Sequence, residues 1–389
     1  MRIAVTNPTD WPYLRRGVER FINELGAYLA RRGHDVTVIS AKPGRAQAET
    51  RDGFTARYYR RLWHPSFAKW GVLEFHAFFV PALYDLLRHR YDVVLSCTFM
   101  DGLAARLARG ITGTPYVFSA FAIPPRAQHF RSLTTKGAIF RHVTLQADAF
   151  TSLSQYTRAY YQDRWGRKSA VIPVPVDFDR FRPMPRRPGA PPTILCAAAL
   201  DDPRKGGRVL MRAFDRLKHK RPDLQMQIAW SLDPAAQKEF TSLVAEPWRK
   251  DIQFLGTGVD LAQLYAQASL SVLPSLWEAQ GLVAIEALAA GTPVVCTRDG
   301  AFPEFVTDPR IGRLFDPGNG TVYEPTNIDG LVRALDECLE LSRSPETAGL
   351  CRAAAWRYSW DAVGPVWENM LETVARKSTP AAEALECRG

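Results

Sequence analysis

Short apolar runs bounded by polar turns recur along this chain and alternate with stretches of helical period. In the first half, residues 2–6 and 36–40 read as strands on either side of an amphipathic helix at 17–32, with Gly33-His34-Asp35 as the turn. Residues 92–96, 115–119 and 149–153 predict further buried strands, and Ser154 suits the N-cap of a helix over SQYTRAYYQDRWG. The second half restarts the pattern. Strands are predicted at 193–197, 225–229, 252–255, 270–273 and 293–297, and helices at 207–220, 261–268 and 282–290, with further helices from Asn327 onward. Such alternation predicts βαβ units on parallel sheets. The expected fold class is therefore α/β, with two Rossmann-like domains whose parallel sheets face one another across a cleft. The expected boundaries are an N-terminal domain at 1–180, a linker at 181–192 rich in proline and arginine, and a C-terminal domain at 193–358. Residues 359–389 should form a helix packing back toward the N-terminal domain, with a frayed tail.

Composition narrows the picture. An apolar content of 46% over 389 residues is ample for two cores. No apolar run reaches the ~20 residues a membrane-spanning helix needs. The start, MRIAVTNPTD, lacks the apolar segment of a secretory leader, so the expected location is cytoplasmic, with contact at the inner face of the membrane left open. Six scattered cysteines show neither C-x-x-C nor metal-ligand spacing, which predicts unpaired thiols and no metal site. A net charge of +10 fits anionic substrates or a membrane surface. No nucleic-acid-binding motif accompanies it, so nucleic acid is not an expected partner. The segment RYYRRLWHPSFAKW (57–70) mixes cations with aromatics. It reads as a membrane-interface stretch, a sugar-stacking surface or a partly packed loop.

The richest chemistry lies in PSLWEAQGLVAIEALAAGTPVV, where Glu278 and Glu286 stand eight positions apart. On one continuous helix that spacing separates them by about 80°. Gly281 instead divides the segment, so Glu278 is expected in a loop after a strand and Glu286 one turn into the following helix. A helix N-terminus attracts phosphate, whereas a carboxylate beside it needs hydroxyl donors. Diphosphate plus sugar hydroxyls is what a nucleotide-sugar presents.

With these pieces in order, the chain resembles a family 4 retaining glycosyltransferase of the GT-B fold over nearly its whole length. The resemblance is carried by GVERFINELGAYLARRGHDVTVIS, VIPVPVDFDRFRP, DDPRKGGRVLMRAF, FLGTGVDLAQLYAQASLSVLPS, the two-glutamate segment and GAFPEFV. It implies that Glu286 holds the nucleotide ribose hydroxyls and that Glu278 lies beside the donor sugar. It further implies that the backbone of Gln280, Gly281 and Leu282 contacts sugar and phosphates, and that Lys205, with Arg204, neutralises the leaving diphosphate. Gly17 would let the backbone approach the diphosphate or the acceptor. The chain departs from the family in carrying Glu278-Ala279-Gln280-Gly281 for E-G-F-G, Arg16-Gly17 for paired glycines and Ala198-Ala199 for G-R. Phe121 stands where many members carry a histidine, which makes Arg16 and Phe121 the acceptor-side candidates. The implied activity is hexosyl transfer (EC 2.4) from a nucleoside-diphosphate sugar to a hydroxyl of a glycan, lipid-linked or small-molecule acceptor, with no metal and no cofactor. A sugar-nucleotide epimerase, a glycosyl phosphorylase or a noncatalytic nucleotide-sugar-binding partner on the same fold remains open. A dinucleotide oxidoreductase is disfavoured, because no G-x-G-x-x-G follows a predicted strand.

Overall fold

The computed structural model describes residues 1–10, 17–42, 44–61, 76–121, 135–318 and 324–378. Arg16 and residues 62–70 of the aromatic–cationic segment lie outside them. The chain divides into two compact units, Met1–Pro173 with Val363–Gly389, and Val174–Ala362.

The first unit contains, in chain order, β1 (Arg2–Thr6), α1 (Gly17–Arg31), β2 (Asp35–Lys42), β3 (Gln47–Arg51), β4 (Phe54–Arg60), α2 (Phe79–Arg88), β5 (Val93–Ser96), α3 (Phe99–Thr112), β6 (Tyr116–Ala120), α4 (Thr135–Gln146), β7 (Ala149–Ser152), α5 (Gln155–Trp165) and β8 (Ala170–Val171). The strands form one sheet in the order β3-β4-β2-β1-β5-β6-β7-β8. The second unit contains β9 (Thr193–Cys196), α6 (Gly207–Lys218), β10 (Gln225–Ile228), α7 (Pro234–Ser242), β11 (Ile252–Phe254), α8 (Leu261–Gln267), β12 (Leu270–Leu273), α9 (Leu282–Ala289), β13 (Val294–Thr297), β14 (Gly312–Phe315), α10 (Ile328–Leu341) and α11 (Thr347–Ala355). Its sheet runs β11-β10-β9-β12-β13-β14 and is parallel throughout. The last helix, α12, is Trp360–Ser378.

Strands β5, β6, β9, β12 and β13 are buried at every position, because helices cover both faces of a parallel sheet. In the second unit α6 and α10 pack on one face, and α8, α9 and α11 on the other. Helix starts follow local chemistry. Ser154 caps α5 by accepting from Thr157 N–H at 3.2 Å, as its position predicts. The described cysteines are unpaired and buried.

Three expectations need correction. The first sheet is mixed, since β3 pairs antiparallel with β4. Asp52 (φ 47°) and Gly53 (φ 87°) form the hairpin turn, for which two successive left-handed residues are required. The stretch expected as the linker 181–192 belongs to the second unit. Phe181 is fully buried there; Arg186 donates to the Ala268 carbonyl at 2.6 Å, and Gln267 donates to that of Pro185 at 2.9 Å. Composition concealed this because, past Phe181, hydrogen bonds to the end of α8 hold a stretch whose other side chains are mostly exposed. The unit boundaries accordingly fall at 173/174 and 362/363 rather than 180 and 359. Trp367 of α12 is wholly buried in the first unit, its indole donating to the Pro173 carbonyl at 3.0 Å. Glu368 there accepts from Arg32 at 3.1 Å and pairs with His34 at 3.0 Å.

Candidate active site

The strand order of the second sheet reverses direction at β9 and β12, which are neighbours although three helices and two strands separate them in the chain. In an open α/β sheet, the carboxyl ends at such a reversal form the crevice where ligands bind. Here the loop leaving β9 carries Lys205, and the loop leaving β12 carries Glu278. Their side chains meet in a direct ion pair, each about four-fifths buried (20% and 18% exposed).

Local backbone chemistry sets both loops. Asp202 N-caps a 3-10 turn over Pro203–Lys205, accepting from Arg204 N–H at 3.1 Å. The same carboxylate takes the Arg204 guanidinium at 2.7 Å. Arg204, expected to assist Lys205, is thus held by Asp202 and forms no ion pair with Glu278. Its carbonyl instead accepts from Leu276 N–H at 2.8 Å, which ties the two loops together. Burial pushes the Cys196 thiol, at the end of β9, up to about 12, while the nearby Lys205 ammonium pulls it the other way.

The glutamate loop is held in an unusual backbone. Trp277 sits at φ 58°, a left-handed conformation rare outside glycine, and Asp299 accepts from its N–H at 2.8 Å. Such strain persists only where surroundings over-determine it, and it clusters at functional loops. Gly281 (φ 78°) then turns the chain into α9, where a side chain would meet the Phe302 ring at 2.6 Å. Leu282 begins the helix, so its amide belongs to the group of unpaired N–H donors at the helix start. Glu286 lies in the next turn and is buried at 2% exposure.

Gln280 is held by its side chain. Its side chain is buried, with Oε1 accepting from Val174 N–H and Nε2 donating to the Val174 carbonyl, both at 2.8 Å. The side chain clamps the incoming chain, leaving only the backbone for a ligand. In the first unit, Gly17 is the exposed first residue of α1. Phe121 follows β6 and packs on Phe21 with ring centroids 5.4 Å apart. Sequence reasoning missed Asp299 and the clamp by Gln280. The Asp299-Gly300 pair, a turn dipeptide one residue past a strand, was the available signal for the first.

Residues 15–180 match the family described as Glycosyltransferase Family 4, and residues 191–340 match Glycosyl transferases group 1. The chain belongs to glycosyltransferase family 4. Membership makes it a glycosyltransferase of GT-B fold. It is similar to the MMP alpha-(1->4)-mannosyltransferase of Mycolicibacterium hassiacum, with 36% identity over 53% of this chain and 49% of that protein, so it spans about half the length of that relative. It is 28% identical to the GDP-mannose-dependent alpha-(1-6)-phosphatidylinositol monomannoside mannosyltransferase of Mycolicibacterium smegmatis, over 90% of this chain and 91% of that one. Among solved structures, sucrose-phosphate synthase from Thermosynechococcus elongatus superposes with a TM-score of 0.80 at 20% identity, covering 97% of this chain and 99% of that one. That likeness concerns the fold of this family 4 glycosyltransferase.

Proposed function

We propose that the chain transfers a sugar, with retention of anomeric configuration, from a nucleoside-diphosphate sugar to a hydroxyl acceptor. The observation that carries this reading is the ion pair between Lys205 and Glu278 at the sheet reversal, beside the start of α9. The difficult event is departure of the nucleoside diphosphate, during which negative charge grows on its oxygens. A preorganised cation and helix-start amides aimed at that charge lower the barrier most. Lys205 supplies the cation. Glu278 holds it in place and offers its remaining acceptor capacity to donor hydroxyls. Glu286 accepts from the vicinal diol of the ribose, and the backbone at Gln280, Gly281 and Leu282 borders sugar and phosphates. The bond from the anomeric carbon to the phosphate oxygen breaks and a bond to the acceptor oxygen forms on the same face. The acceptor proton passes to the leaving phosphate, so no protein base and no cofactor is called on.

GDP-mannose is the first donor to try, because the M. smegmatis relative is described as GDP-mannose-dependent. That description also names a phosphatidylinositol mannoside as acceptor, which favours a polyol hydroxyl on a lipid. A thermal-shift screen of GDP-mannose, UDP-glucose, ADP-glucose and TDP-glucose tests the donor site, since a ligand selective for the folded state raises its stability. One nucleotide-sugar should shift the transition, and the product anomer should match the donor. Absence of any shift, or an inverted product, would overturn the reading.

A further inference from the structure

The exits of three neighbouring strands in the second sheet are stitched into one polar rim. Strand β10 lies between β11 and β9 and pairs with both in parallel. The Trp230 indole, at the exit of β10, donates to the Asp201 carboxylate at 2.9 Å, in the loop that carries Lys205. Ser231 Oγ accepts from Thr257 N–H at 2.9 Å, and the two hydroxyls lie 3.1 Å apart, which ties the exit of β10 to that of β11. Trp230 packs against the core on the α6 face, yet it stays half-buried. The other described aromatics in the exit loops of this sheet, Trp277, Phe302 and Phe305, are buried. Among the described residues of these loops, Trp230 is therefore the aromatic that keeps accessible ring surface, and a bond across two loops fixes how its ring is turned.

The place of this rim suits one end of a nucleotide-sugar. Sugar and base sit at opposite ends of the diphosphate. The Glu278 loop, assigned to the sugar, is backed by the exit of β13, where Ala301 N–H donates to the Glu278 carbonyl at 3.0 Å. With the diphosphate at Lys205 and the start of α9, between the ends of β9 and β12, the sugar end points toward β13. The base end then runs the other way, over β9 toward β10 and β11. Adjacent strands lie about 4.8 Å apart, so these two exits stand one and two spacings beyond β9. Charge agrees with that direction, because the Asp201 carboxylate repels phosphate and leaves the neutral base as the part of the donor that fits beside it. Every base has a π-face, and stacking on an aromatic side chain raises affinity about fivefold to 150-fold.

We propose that Trp230 stacks the nucleobase of the donor, and that Asp201 is a positioning residue that holds the indole for it. The proposal rests on the nucleotide-sugar reading above and adds to it the residue that grips the base.

The test measures binding of GDP, UDP, ADP, TDP and inorganic pyrophosphate to the full chain, by calorimetry and by quenching of tryptophan fluorescence. For the nucleoside diphosphate that binds most tightly, Trp230→Ala should weaken affinity about tenfold to a hundredfold. Pyrophosphate affinity should stay at the wild-type value, which also reports an intact fold. Trp230→Phe keeps an aromatic ring, so it should hold nucleotide affinity to within about threefold while removing most of the quenching seen in the wild-type chain. Asp201→Ala should cost about threefold, in line with loss of one hydrogen bond, and nothing further in the Trp230→Phe chain, whose ring has no N–H to hold. Equal losses in the two backgrounds would overturn the positioning role of Asp201. Nucleotide affinity unchanged by Trp230→Ala, or quenching undiminished by Trp230→Phe, overturns the stack and leaves the transferase reading intact. Parallel loss of nucleotide and pyrophosphate affinity in Trp230→Ala also overturns it, and makes Trp230 a core residue. If no nucleoside diphosphate binds the wild-type chain, the transferase reading itself fails, and this proposal falls with it.

Discussion

Gly300 lies directly against the backbone of Glu278. A Cβ added at Gly300 would come within 2.7 Å of the Glu278 nitrogen and 2.8 Å of its carbonyl oxygen. The next residue, Ala301, donates its N–H to that same carbonyl at 3.0 Å. The exit of β13 thus fixes the height of the loop that presents Glu278 to Lys205. Position 300 tolerates no side chain for two reasons, the contact and a backbone at φ 63°.

Gly300→Ala should therefore displace the Glu278 loop. Left-handed strain of this kind costs about 1–3 kcal/mol, and the contact with Glu278 adds to it. A lower melting temperature of the second unit and reduced turnover are the expected readouts. Unchanged values in both would show that the loop takes no support from β13.

Glu286 and Glu278 should separate binding from chemistry. Glu286→Ala should weaken donor affinity by at least about tenfold, since a hydrogen bond to a charged group contributes roughly 1.5–3 kcal/mol. Glu278→Ala should mainly lower kcat, because it releases Lys205 from its held position. Donor titration by calorimetry beside steady-state kinetics resolves the two effects. Wild-type values in both variants would remove these residues from the site.

Lys205→Ala should cost about 10²–10³ in kcat, the usual loss when one preorganised donor to developing charge is deleted. Arg204→Ala should cost far less, since Arg204 is committed to Asp202. If the two losses were equal, the cation would not be Lys205 alone.

Gln280→Ala should destabilise the second unit by about 2 kcal/mol or more, because it leaves two buried backbone groups of Val174 unpaired. A urea titration of the folded chain measures this. The conservative Gln280→Glu keeps the acceptor but loses the donor, and should restore only part of the stability.

Asp101 makes stability depend on pH. Burial raises its carboxyl to about 6, opposed by hydrogen bonds from Thr98, Thr6 and Cys97. An unfolded aspartate titrates near 3.9, so between about pH 4 and 6 the native state binds more protons than the unfolded one. The resulting contribution is fully present below the unfolded pKa and is lost as pH rises through the folded one. The slope cannot exceed about 1.4 kcal/mol per pH unit for one proton. Urea midpoints from pH 4 to 7 should fall with rising pH relative to Asp101→Asn; parallel curves would assign the titration elsewhere.

Legibility followed the range of the forces involved. The strands at 2–6 and 270–273 could be read to the residue, because a strand covered on both faces reads as a short, mostly apolar run. Ser154 could be read as a cap, because capping is settled within three residues. The hairpin of β3 and β4 was overlooked although Asp52-Gly53 announced it. The boundary near 181–192 was misplaced because polar contacts to α8 leave no apolar periodicity to detect. In the candidate site, both glutamates and Lys205 stood out by motif. The bond from Leu276 to Arg204 and the capture of Arg204 by Asp202 did not.

By itself the sequence determined two α/β units built on βαβ alternation, most of their helix and strand order, and a loop carboxylate followed by a glycine-opened helix with a second carboxylate. Those properties follow from periodicity and from chemistry within a few residues. Only the tertiary structure decided that Lys205 pairs with Glu278 and that Gln280 clamps Val174. Each joins residues distant in the chain, and their meeting depends on which strands neighbour one another in a sheet. Hydrogen-bond pairing along the strand backbones settles that order, and backbone groups are the same in every residue but proline.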